Sequence, residues 1–243
     1  MKTQIFIFIL ITAFCGCGDE GVETTVGDEV DIPLLVKHDK FALSSSDPIY
    51  VLPDDVQFSL IAEAGIKSTI VVWFWKNKTQ WRFGGTGFVI DTHLFVTAHH
   101  VIKDFDIDEI IILQSILDRN TLMVATVFRT DIPHDIAILR SVDNIDSPSL
   151  KLGSNKDVFI GQQCYTVSNP GGFVGTFSEG VVTGIRGNWT RIQFSASVSP
   201  GSSGAALLDE HARVIGVVTG IERNVNSIFT ATPVGYLQDL LQK

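Results

Sequence analysis

From Ser68 onward the chain alternates short runs of β-branched, aromatic and aliphatic residues with clusters of Gly, Pro, Asn, Asp and Ser. Runs of this length bounded by turn residues predict antiparallel strands. A first set is expected over 69–75, 82–90, 94–97, 109–113, 121–129 and 136–140. After a polar stretch at 144–148, a second set is expected over 163–168, 180–186, 190–195, 205–208, 214–219 and 227–231. Two sets of six imply an all-β chain built as two six-stranded antiparallel barrels. The period changes at both ends of this region. Val56, Leu60, Ile61 and Ala64 recur at helical spacing after Asp54 and Asp55 and before Gly65, predicting a short N-terminal helix. Leu237, Leu240 and Leu241 do the same over 234–242, predicting a C-terminal helix that covers the edge of the last strand.

The N-terminal residues follow a different pattern. Lys2 precedes an apolar run from Ile5 to Thr12 and on to Phe14, the charged head and short apolar centre of an export signal. That run is too short for a membrane span. Cys15, Gly16 and Cys17 follow, and a small residue before a cysteine at the end of such a run resembles a bacterial lipobox. Residues 1–16 are then a signal peptide of lipoprotein type, with Cys17 the lipidated first residue; ordinary cleavage, or a retained anchor helix, is the alternative. From 17 to 53 the chain is acidic, rich in Ser, Asp and Gly and without sustained period, and reads as a flexible tether. One domain is expected over 54–243, with the first barrel at about 66–142, the second at about 150–232 and the closing helix at 234–242.

Composition narrows the function. The 243 residues are 45% hydrophobic, enough for one substantial core with short extensions. A formal net charge of −9, with no cluster of Lys and Arg, excludes a nucleic-acid binder. Cleavage before Cys17 leaves only Cys164 as a second cysteine beside the lipidated Cys17, so no disulfide framework is available, and its apolar neighbours 163–167 mark Cys164 as a core residue.

Acyl transfer at a peptide bond needs a hydroxyl made nucleophilic by a base, a group that holds the base's tautomer, and donors for the developing oxyanion. Three segments offer these parts. Val96-Thr97-Ala98-His99-His100 ends a strand and follows Gly84-Gly85-Thr86-Gly87; His134-Asp135-Ile136-Ala137 places an acid at the mouth of an apolar strand; Pro200-Gly201-Ser202-Ser203-Gly204 sets a serine in a tight turn.

Together, in the order His, Asp, Ser, these segments resemble the chymotrypsin-like (trypsin-like) serine peptidases, in motif style the bacterial HtrA/Deg-type protease domain. The resemblance runs from about Phe58 to the C-terminus and includes 161–170, 175–185 and 229–233. It implies two barrels with the site in the cleft between them. It makes His100 the base, Asp135 its partner and Ser203 the nucleophile, with His99 where the family carries a small residue. Gly201 and Ser203 would supply the oxyanion N–H groups. The substrate pocket falls to Ser197, Val198 and Ser199 and, on the facing strand, Val218, Thr219 and Gly220; without an acid at Ser197, a small or medium apolar or neutral P1 side chain is expected. No metal or cofactor is implied. Polypeptides are the expected substrates, and the exported chain is expected in the bacterial cell envelope, in the periplasm or held to a membrane by its lipid. With Lys243 directly after the last helix, no PDZ module is expected.

This sequence departs from the family at Ser202, where Asp or Asn is usual, and at Ala205-Ala206, where Gly-Pro is usual. A Cβ at 205 is strained if φ there is positive. A weak or inactive trypsin-like module serving as a binding or sensor protein of the envelope is therefore the second reading. An α/β-hydrolase is excluded because Ala205 breaks G-x-S-x-G and the acid does not follow the serine. A zinc hydrolase is excluded because His99, His100 and His134 lack ligand spacing.

Overall fold

The computed structural model of the chain describes residues 57–76, 80–105, 109–118, 120–221 and 228–243. Helix α1 (Gln57–Ser68) leads into β1 (Thr69–Lys76), β2 (Gln80–Asp91) and β3 (Leu94–Ala98). The single turn α2 (His99–Ile102) follows, then β4 (Glu109–Ser115), β5 (Leu122–Asp131) and β6 (Ile136–Ser141). The second half contains β7 (Gln163–Ser168), β8 (Thr176–Arg186), β9 (Arg191–Phe194), β10 (Ala206–Leu208), β11 (Val214–Ile221) and β12 (Phe229–Pro233), closed by α3 (Val234–Gln242). Each half closes on itself in antiparallel order, β1-β2-β3-β6-β5-β4 and β10-β11-β12-β9-β8-β7. The all-β class, two six-stranded barrels and terminal helices expected from the hydrophobic pattern are present.

Alternation along the strands builds three apolar clusters. Successive strand residues point to opposite faces, so Phe95 and Leu139 fill the first barrel while their neighbours Val96 and Ile138 face outward. Cys164, Val182, Ile192 and Phe194 fill the second barrel. The outward residues do not meet solvent. Phe88, Val96, Ile136 and Ile138 of the first barrel join Tyr165, Leu208, Val214 and Val217 of the second, together with Ile61 of α1 and Val234, Leu237 and Leu240 of α3. This shared layer brings the ends of β3 and β6 opposite the loop before β10.

Two elements differ from the expected bounds by more than two residues. Helix α1 continues through Gly65 to Ser68; a Cβ at Gly65 would lie 2.6 Å from Val167, so this glycine permits close packing rather than ending the helix. Strand β8 starts at Thr176, ahead of the expected 180, because Thr176 to Glu179 pair with Ser168 back to Tyr165. Burial pushes the Cys164 thiol up to about 12, as expected for a group that is costly to ionise away from water. The export signal, Cys17 and the tether lie outside the described residues. Among the described residues no helix is long and apolar enough to cross a membrane.

Candidate active site

Strand β3 ends at Ala98, and α2 turns the chain so that His100 follows its last residue by two positions. Strand β3 pairs with β6, Ala98 opposite Ile136, which brings the turn before β6 beside α2. That turn carries Asp135. Its carboxylate takes two hydrogen bonds from one residue: the His100 backbone N–H donates to Oδ1 at 2.7 Å, and His100 Nδ1 lies 2.6 Å from Oδ2. A carboxylate only accepts, so the contact puts the imidazole proton on Nδ1 and leaves the Nε2 lone pair free. The His99 N–H donates to the Asp135 carbonyl at 3.1 Å, so His99 contributes backbone and His100 the ring. Asp135 itself has a φ of 57°, a conformation that Asp tolerates better than most residues but that still carries strain.

The serine loop approaches from the second barrel. Gly204 packs so tightly on the first barrel that a Cβ there would lie 2.1 Å from the Thr86 carbonyl and 2.3 Å from Thr97 Oγ1. Nothing larger fits. The Thr86 N–H donates to the Ser203 carbonyl at 3.0 Å and the Thr86 hydroxyl to the Gly201 carbonyl at 2.7 Å. Gly204 and Ala205 are fastened to β11, the Gly204 N–H to Val218 O at 2.8 Å and the Val218 N–H to Ala205 O at 2.9 Å.

Two further bonds set the direction of the loop's free donors. The Pro200 carbonyl accepts from the Gly171 N–H at 2.7 Å, and the Ser202 carbonyl from the Ala205 N–H at 3.1 Å. In a trans peptide the C=O and the following N–H point in opposite directions. Holding these carbonyls therefore aims the Gly201 and Ser203 N–H groups the other way, and among the described residues neither finds an acceptor. Gly201 reaches this arrangement with a φ of 105° and passes so close to residue 169 that a Cβ would lie 2.5 Å from the Asn169 carbonyl.

Ser202 and Ala205 fit the loop without strain. The buried Ser202 hydroxyl accepts from the Ser199 N–H at 3.3 Å and from the Ser168 hydroxyl at 3.0 Å. Among the described residues, those other than glycine with positive φ are Asp135, Asn188, Trp189 and Ala212, so Ala205 takes ordinary backbone, while Ala206 begins β10. The Ser203 hydroxyl makes no hydrogen bond among the described residues, to His100 or otherwise; nucleophile–base bonds are often long before substrate binds.

Of the residues expected to form the substrate pocket, Val198 and Val218 pack into the second barrel. Ser197 is exposed and Ser199 and Gly220 are half-buried. Thr219 is buried with a hydroxyl lacking a protein partner among the described residues.

The motifs did not reveal the scaffold behind the loop. Asn169 is fully buried: its side-chain amide donates to Ile70 O at 3.2 Å, its Oδ1 accepts from Gly175 N at 3.1 Å, and its N–H donates to Thr86 Oγ1 at 3.0 Å. The Asn169-Pro170-Gly171-Gly172 run is a turn signal that could have drawn attention to it.

Two closed antiparallel barrels, with a His–Asp pair on one and a glycine-flanked serine loop on the other, define the chymotrypsin-like class. The chain belongs to the trypsin-like peptidase family: the family model described as "Trypsin-like peptidase domain" matches residues 85–217. Several of its relatives carry HtrA- or DegP-type names. It is 34% identical over 140 residues to the "Probable periplasmic serine endoprotease DegP-like" of Pseudomonas fluorescens, covering 55% of this chain and 28% of that protein. It is 27% identical over 191 residues to the "Serine protease HtrA-like" of Staphylococcus aureus, covering 69% of this chain and 24% of that protein. The matched region is thus about a quarter of the length of these relatives. The solved structure described as "HtrA-type protease AlgW with decapeptide" superposes with a TM-score of 0.68 at 19% identity, over 77% of this chain and 67% of that one.

Proposed function

We propose that the chain is a serine endopeptidase of the bacterial cell envelope, acting through His100, Asp135 and Ser203 and an acyl-enzyme intermediate. The observation that carries the reading is the paired grip of Asp135 on His100. With its proton held on Nδ1, His100 offers Nε2 to take the Ser203 proton as the hydroxyl attacks the scissile carbonyl, then returns it to the leaving amine. Asp135 stabilises the imidazolium formed in between. The Gly201 and Ser203 N–H groups, aimed by the held Pro200 and Ser202 carbonyls, receive the negative charge on the substrate oxygen. Polypeptide substrates follow from the chemistry and from the peptide named with the AlgW structure. Ser197, Val198, Ser199, Val218, Thr219 and Gly220 would take a small or medium apolar or neutral P1 side chain.

The unstrained Ala205 and the satisfied Ser202 support activity over a silent binding module. Labelling with a serine-directed fluorophosphonate tests this. Wild type is expected to label, and Ser203→Ala to take no label and lose turnover on the order of a million-fold. A wild type that stays unlabelled where an HtrA-type relative labels ends the enzyme reading.

Export is supported by the Lys2-to-Phe14 pattern and by the periplasmic relative. Cys17 is the proposed lipid site. Metabolic labelling with a fatty acid is expected to reach wild type and not Cys17→Ser; equal labelling of both removes the assignment.

A further inference from the structure

His134 takes no part in the proposed chemistry, yet contacts to its ring and its main chain hold it, among them its N–H donating to Asp131 Oδ1 at 3.2 Å. Its ring stacks on Tyr236 of α3, centroids 3.6 Å apart and planes 20° from parallel. Its Nδ1 lies 2.9 Å from both carboxylate oxygens of Asp131. Its carbonyl accepts a hydrogen bond from the Thr232 hydroxyl at 2.7 Å. Thr232 is buried on β12, so this bond crosses from the second barrel to the turn that carries Asp135.

The His134 carbonyl and the Asp135 N–H belong to one planar peptide. Thr232 holds its oxygen end, and its N–H donates to the Ile132 carbonyl at 3.1 Å. The plane is therefore fixed from both sides. The torsion φ measures rotation of Asp135 away from that plane, and its 57° value is one an L residue leaves unless the surroundings over-determine it. Relaxation to negative φ would swing the carboxylate to a new direction relative to His100.

We propose that Thr232 and the His134–Tyr236 stack are positioning elements, a clamp from the second barrel and the C-terminal helix that holds Asp135 where its carboxylate reaches His100. The acid belongs to the first barrel by sequence but is set by the second. The base and acid are then aligned only when β12 and α3 are docked on the β5–β6 turn. The kinetic consequence rests on the endopeptidase reading; the geometric one does not.

The test compares Thr232→Val, which keeps shape and removes the hydroxyl, with Thr232→Ser, which keeps it. Two readouts are followed: peptide hydrolysis, and the low-field proton resonance of the His100 Nδ1–H against Asp135. Thr232→Val is expected to lose roughly tenfold in kcat with KM within about twofold, and to weaken the resonance, as small displacements of a catalytic group do. Thr232→Ser is expected to restore both. Wild-type kcat and resonance in Thr232→Val overturn the clamp, as does a Thr232→Ser variant as impaired as Thr232→Val. Should Thr232→Val not fold, Tyr236→Leu carries the same readouts, with a loss of roughly threefold expected and none overturning the proposal. If wild type neither labels nor turns over, the endopeptidase reading falls and the resonance alone decides the clamp.

Discussion

In the turn between β5 and β6 the held group is a side chain: both carboxylate oxygens of Asp135 are engaged by His100, and its backbone takes a strained φ to permit this. In the loop from Pro200 to Ala205 the held group is the main chain. Gly171, Thr86, Ala205 and Val218 bind its carbonyls, while the Ser203 hydroxyl makes no hydrogen bond among the described residues. On the proposed endopeptidase reading, the difference follows from what each region must present. An acid that fixes a tautomer works through its own oxygens, so they must be fastened. A nucleophile must change partners during the reaction, so its backbone is fastened and its side chain left able to move.

This contrast predicts that the acid turn is sensitive to side-chain chemistry at constant shape. In Asp135→Asn the amide can still accept from the His100 N–H, but its NH2 faces Nδ1 and favours the tautomer with the proton on Nε2. The base is then blocked. Turnover is expected to fall about ten-thousandfold with the fold intact, read as kcat beside a circular dichroism melt. A loss below about tenfold would mean that the carboxylate is not what holds His100.

The sequence made the two regions legible to different depths. Barrel strands are readable because alternation and turn residues are local signals, and the rule works for β7 to the residue at both ends. It worked less well at β8, where Thr176 to Glu179 become strand through pairing with residues up to fourteen positions earlier. Candidate residues His100, Asp135 and Ser203 stood out through short motifs, and the structure joins the first two directly. What supports them was not legible. Thr86 meets Gly201 across 115 positions, Asn169 meets Ile70 across 99, and Thr232 meets His134 across 98. A hydroxyl or amide acting at such separation leaves no period or spacing in the chain. Ser202 and Ala205 were misleading for the same reason: as departures from a motif they suggested a damaged loop, whereas Ser168 and Ser199 accommodate the one and an ordinary φ the other.

If the main chain is what holds the serine loop, deleting a side chain inside it should cost stability more than turnover. Ser202 is the position to ask, since its hydroxyl serves Ser199 and Ser168 and touches neither the proposed oxyanion donors nor His100. In Ser202→Ala the Ser199 N–H and the Ser168 hydroxyl lose their partner in a buried site, a loss of about 1–2 kcal/mol that denaturant unfolding measures. The Gly171 grip on Pro200 and the Thr86 grip on Gly201 do not pass through Ser202 and remain. kcat is therefore expected to fall no more than about threefold, far less than for an oxyanion donor removed outright. A fall of about a hundredfold at unchanged stability would reverse the comparison, making the Ser202 hydroxyl, rather than the backbone bonds around it, the group that presents Ser203.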